Sequence, residues 1–133
     1  MRYVENELYL YRMYKLSLEE LKRDLEEISI ETGQKPFEVV PIKNGPGNPV
    51  SLMAIRAVVI EEKIKLKSSR IRKIEIGYSL LNPEEKELVD KKYFSGMDYT
   101  NEQLIIQFQL RRNRFYKLRD GVIYKYALIF GIF

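Results

Sequence analysis

The sequence predicts an all-α fold in which long N-terminal helices precede a small helix-turn-helix domain. Three observations predict it. From Tyr3 to Thr32 there is neither glycine nor proline, and apolar residues return at helical spacing. A cluster of proline and glycine between Gln34 and Pro49 then ends any helix. Near the C-terminus, Thr100 to Arg119 (TNEQLIIQFQLRRNRFYKLR) runs from a short amphipathic stretch through a turn into a strongly basic stretch.

In the first helix Tyr11, Tyr14, Leu18, Leu21, Leu25 and Ile28 form one stripe, with Glu19, Glu20, Lys22, Arg23, Glu26 and Glu27 on the wet face. The spacing from Tyr14 to Ile28 fits a short coiled-coil seam or a face docked on the protein's own core. Gly33 suits the left-handed position just past a helix end. Ser51 is the expected N-cap of a second long helix. There Leu52, Ile55, Val59 and Leu66, with Ile60, Ile64, Ile71, Ile74 and Tyr78 beside them, give a broad apolar face. Lys63, Lys65, Lys67, Arg70, Arg72 and Lys73 make that helix basic.

Asn82-Pro83-Glu84-Glu85 reads as a helix start: a capping side chain, a proline where no N–H is needed, and acids at the positive end of the dipole. Leu88, Val89, Tyr93 and Phe94 supply its buried side, and Ser95-Gly96-Met97-Asp98 closes it. Tyr99–Phe108 is the next short helix, with Leu104, Ile105 and Phe108 inward. Gln109-Leu110 makes the turn. A last helix starts near Arg111, runs to Leu128 or Ile129, and buries Phe115, Leu118, Val122, Ile123 and Tyr126. Gly121 is a candidate bend in it. The expected organisation is a helix over 1–33 for association or protein contact, a linker over 34–50, a long basic helix over 51–80, and the helix-turn-helix domain over 81–133.

The last helix carries Arg111, Arg112, Arg114, Lys117 and Arg119 without an intervening acid. With Phe115, Leu118 and Val122 inward, Arg112, Asn113, Tyr116 and Lys117 point outward from its N-terminal half, the part a recognition helix presents to the major groove. Arginine can fork onto guanine and asparagine onto adenine. Arg114, Arg119 and Lys125 suit the phosphate backbone. The DNA-binding candidates are therefore Arg111, Arg112, Asn113, Arg114, Tyr116, Lys117 and Arg119.

Composition narrows the alternatives. The chain of 133 residues is of single-domain size and has no cysteine and no histidine. Disulfides, thiolate or imidazole metal sites and the usual neutral-pH general base are excluded. There is no DxD, HExxH, glycine-rich phosphate loop or GxSxG. No enzyme, cofactor or metal is expected. No apolar run approaches the ~18 residues that span a bilayer, and the charged N-terminus is unlike a signal peptide. The expected location is the cytoplasm, without membrane contact. Acid exceeds base in residues 1–50, and base exceeds acid in 51–81. That asymmetry suits a nucleic-acid binder with a separate protein-facing arm.

Two resemblances follow from these residues. Leu81-Asn82-Pro83-Glu84-Glu85-Lys86-Glu87-Leu88, followed by Tyr93, resembles the opening of sigma-70 region 4. The segment TNEQLIIQFQLRRNRFYKL resembles that domain's helix-turn-helix without a gap, through Glu102, Leu104, Phe108, Leu110, Arg112, Arg114, Phe115 and Leu118. Ile105, Gln109 and Arg111 stand where alanine, glycine and a Ser/Thr cap are usual. The whole layout, with Arg114-Phe115-Tyr116-Lys117-Leu118-Arg119 and the tail Tyr126–Ile132, resembles the ArpU and RinA type regulators of phages and prophages of Gram-positive bacteria.

The resemblance implies a sigma-70 region 4-like domain that binds double-stranded DNA and activates late phage or prophage genes in the bacterial host cell. Residues 82–132 would bind DNA, and residues 3–80 would serve self-association into a homo-oligomer or contact with RNA polymerase. The alternatives are a small terminase-type DNA-packaging subunit and an adaptor that mimics region 4 on RNA polymerase.

Overall fold

The computed structural model describes residues 2–32 and 49–132, and every regular element among them is helical. In chain order these are α1 (Arg2–Tyr9), α2 (Tyr11–Thr32), α3 (Pro49–Ser79), α4 (Pro83–Val89), α5 (Asn101–Phe108) and α6 (Arg112–Ile129). A π turn, Asp90–Phe94, extends α4. No helix among the described residues is long and apolar enough to cross a membrane.

Several expected boundaries move. The N-terminal helix is two helices, interrupted at Leu10, although the Leu10 N–H still donates to the Asn6 carbonyl at 3.0 Å. Ser51 is not a cap, because α3 begins at Pro49 and Ser51 lies inside its first turn. Proline is at home there, since a first-turn N–H has no intrahelical acceptor to lose. Pro49 and Val50 thus belong to α3 rather than to a linker. Gly33 and the remainder of the proline–glycine stretch lie outside the described residues. The third short helix starts at Asn101, with Thr100 as its cap and Tyr99 before it.

The chain divides into two compact units. One contains Tyr14–Arg70; the other joins Met1–Met13 to Ile71–Phe133. In the first, Leu25 and Ile28 of α2 pack with Ala57 and Ile60 of α3, and Leu21, Met53 and Ile64 border them. The α2 stripe is therefore docked within the chain. The inward side of α3 is the row through Ala57, Ile60 and Ile64, whereas Leu52, Ile55, Val59 and Leu66, expected to share the apolar face, are exposed. Two apolar rows run along this helix, and the row containing alanine is the one that faces α2.

The second unit is built around Leu88, Val89 and Tyr93 of the α4 segment, Leu104 of α5, and Phe115, Val122, Ile123, Tyr126 and Ala127 of α6. Val4 and Leu8 of α1 are fully buried in it. Tyr93 donates its hydroxyl to Glu5 of α1 at 2.8 Å, and Tyr9 meets the Tyr93 ring edge-on at 4.8 Å. Ile71 and Ile74, from the end of α3, are buried in the same unit. At Gly77 a side chain would run into the Tyr126 ring, whose hydroxyl donates to the Ile74 carbonyl at 3.1 Å. Glycine is needed here for close approach, since any Cβ would push α6 away from α3.

Candidate nucleic-acid interface

Both helices before α6 start in the same way. The Asn82 side chain accepts from the Glu85 N–H at 2.8 Å, and the Glu85 carboxylate accepts from the Asn82 N–H at 3.0 Å. Thr100 and Gln103 repeat this reciprocal capping at 3.1 and 2.9 Å. Acids occupy the first turns as well: Glu84 and Glu85 in α4, Glu102 in α5. Two donors are satisfied at each start, and the acids oppose the positive end of the dipole.

The turn leaving α5 is a Schellman motif. Gln109 takes the left-handed conformation at φ 55°. Its N–H donates to the Ile106 carbonyl at 3.1 Å, and the Leu110 N–H donates to the Ile105 carbonyl at 3.2 Å. Glycine is the usual residue for this conformation because a Cβ crowds the backbone there. The turn closes with glutamine nonetheless.

The start of α6 breaks the pattern. Arg111 occupies the N-cap position in extended conformation and makes no side-chain cap. The first intrahelical bond runs from the Phe115 N–H to the Arg111 carbonyl at 2.9 Å. There is no acid in the first turn; Arg112 and Arg114 stand there instead. Cations and uncapped amides thus share the positive end of one dipole, an arrangement that suits an anion.

The predicted residues divide into two sets. Arg111, Arg112, Asn113, Arg114 and Lys117 come together, exposed, on the first two turns. Arg112 donates to Glu102 of α5 at 2.7 Å. Arg114 reaches both oxygens of Glu84 of α4, at 3.0 and 3.2 Å. Among the described residues the side chains of Arg111, Asn113 and Lys117 have no hydrogen bond or ion pair. Tyr116 and Arg119 form the second set, half-buried, with the Arg119 guanidinium 4.8 Å from the Tyr116 ring centroid. Arg119 also pairs with Asp120 at 3.0 Å. Exposed ion pairs such as Arg112–Glu102 contribute ~0–1 kcal/mol, so a phosphate can displace the carboxylates.

Lys125, expected to face the phosphate backbone, is half-exposed and paired with a buried acid. Its ammonium donates to the Glu85 carboxylate at 2.6 Å, and Glu85 is only 5% exposed. This bond ties α6 to the start of α4. Gly121 lies within a continuous α6, where an added Cβ would sit 3.7 Å from Glu85. Sequence reading missed the acids that meet the basic helix, because Glu102 and Glu84 come from other elements and helical periodicity carries no signal for such partners. Lys92 was missed as well. It is buried, donates to the Asn101 side chain at 2.7 Å, and has its pKa lowered by burial.

No known protein family, curated protein or solved structure matches this chain.

Proposed function

We propose that the chain is a sequence-specific DNA-binding transcriptional regulator without catalytic activity, an activator of phage or prophage late genes with a domain resembling sigma-70 region 4. The observation that carries the reading is the start of α6, uncapped and loaded with arginine where α4 and α5 are capped and acidic. Such a start is unfavourable in the free protein and becomes favourable against a phosphate. Arg112, Asn113 and Lys117 then read bases, while Arg111 and Arg114 anchor on the backbone. Asp120, exposed on the same helix, ends the DNA-facing stretch after two turns. Self-association and contact with RNA polymerase belong to the rest of the chain in this reading.

The test is selection from a randomised duplex pool, followed by anisotropy titration of the winning site at several salt concentrations. Arg112→Ala with Lys117→Ala should abolish discrimination between that site and random DNA. Arg114→Ala should weaken both about equally and lower the salt slope by ~0.9. Discrimination that survives the double substitution sinks the reading. Affinity that does not fall with salt would transfer the chain to the adaptor class.

A further inference from the structure

We infer that the cleft formed by the start of α2, the end of α3 and the π turn is a binding site for an arginine side chain presented by a partner protein. The cleft has a volume of about 400 Å³ and is lined by Tyr11, Ile74, Glu75, Tyr78 and Phe94. Its aromatic wall is a tilted stack, with the Tyr11 and Phe94 centroids 4.6 Å apart and those of Phe94 and Tyr78 5.9 Å apart. Aromatic faces carry the negative part of the ring quadrupole, and a guanidinium stacks on them well.

One carboxylate, Glu75, lines the cleft, and a second, Asp90, is bonded to its Tyr78 wall. Glu75 accepts from the Tyr11 hydroxyl at 3.2 Å, and Asp90 accepts from the Tyr78 hydroxyl at 2.9 Å. Each keeps a second oxygen for a planar, forked donor. Neither carboxylate has an ion pair among the described residues, although the chain carries 23 Lys and Arg against 19 Asp and Glu. The Tyr11 phenol is pushed up to about 12, by burial first and by Glu75 second, so its hydroxyl remains a donor at neutral pH. A neighbouring cation, Lys86, lies outside the lining with its ammonium 5.4 Å from the Tyr78 ring centroid. Its charge on the same ring opposes an incoming one. A phosphate would be repelled by both acids, so nucleic acid is the wrong ligand. The site shares no residue with the start of α6 and holds whether or not α6 contacts DNA.

The probe is a capped Ala-Arg-Ala peptide titrated into the isotope-labelled full chain, with Ala-Lys-Ala and Ala-Gln-Ala alongside. Saturable amide shifts are expected around Tyr11, Glu75, Tyr78 and Phe94 with the arginine peptide, weaker ones with lysine and none with glutamine. Glu75→Gln with Asp90→Asn keeps both acceptors for the tyrosines and should weaken binding about tenfold. Lys86→Gln should tighten it about threefold. Arg112→Ala with Lys117→Ala should leave it unchanged. Non-saturating shifts at exposed carboxylates across the surface, or a Lys86→Gln protein that binds like the parent, would overturn the site. Shifts of the same residues on concentrating the protein alone would make the arginine a second copy's and overturn the foreign partner.

Discussion

Arg111 closes the turn before α6 with its charge at the positive end of the helix dipole and its side chain making no cap. Both features have a cost in the unliganded protein. Arg111→Ser supplies a capping hydroxyl and removes the opposed charge, which together should stabilise the fold by ~1–2 kcal/mol. Thermal unfolding should show the rise. In the proposed DNA-binding reading the same substitution also removes one phosphate contact, so DNA affinity should fall and its salt slope should drop by ~0.9. A variant that is both more stable and equally tight on DNA would contradict the role given to this residue. In the DNA-binding reading, the uncapped start of α6 gives up stability for binding.

Among the elements, those with local rules were legible in the sequence. Asn82-Pro83-Glu84-Glu85 announces itself within four residues, because capping is short-range chemistry, whereas the turn at Gln109-Leu110 was placed by the spacing of its flanking helices, since glutamine is not the usual left-handed residue. The inward stripe of α2 was legible because it has one apolar row. The face of α3 was not, since Leu52, Ile55, Val59 and Leu66 compete with Ala57, Ile60 and Ile64 for the same description. Nor were the partners of the basic helix, which come from 10 to 40 residues earlier. The docking of α1 was likewise hidden, because the partners that bury Val4 and Leu8 are supplied mostly by the other end of the chain. Two substitutions separate these cases. Leu8→Ala empties a fully buried position and should cost ~2–5 kcal/mol in urea unfolding. Leu52→Ala, on the exposed row, should change stability by less than about 0.5 kcal/mol.

At the scale of the whole molecule, ionisation of the phenols is tied to folding. Tyr9, Tyr11, Tyr78, Tyr93 and Tyr126 all have raised pKa values, each through burial first, and all belong to the unit containing α6. Carboxylates add to the rise, Glu75 beside Tyr11 and Glu5 beside Tyr93. The unfolded chain loses its phenolic protons near pH ~10, before the folded one does. Stability from these groups is therefore complete below pH ~10 and falls above it, for Tyr11 through a window reaching about 12. Phenolate absorbance and helical circular dichroism, followed together, should show Tyr9, Tyr11, Tyr78, Tyr93 and Tyr126 ionising only as helix is lost. Ionisation of these five near the ordinary value, with helix unchanged, would refute the burial assigned to them. The unit that holds them is sewn from the two ends of the described chain, with Glu5 and Tyr93 bonded across 88 positions. On a ribosome, α1 emerges well before the π turn and α6 on which it packs. At ordinary rates of synthesis Val4 and Leu8 must remain in water for roughly 5–20 s, while Tyr14–Arg70 is already complete enough to pair its helices. The return of α1 to this unit thus comes late, after the helices of Tyr14–Arg70 have been made.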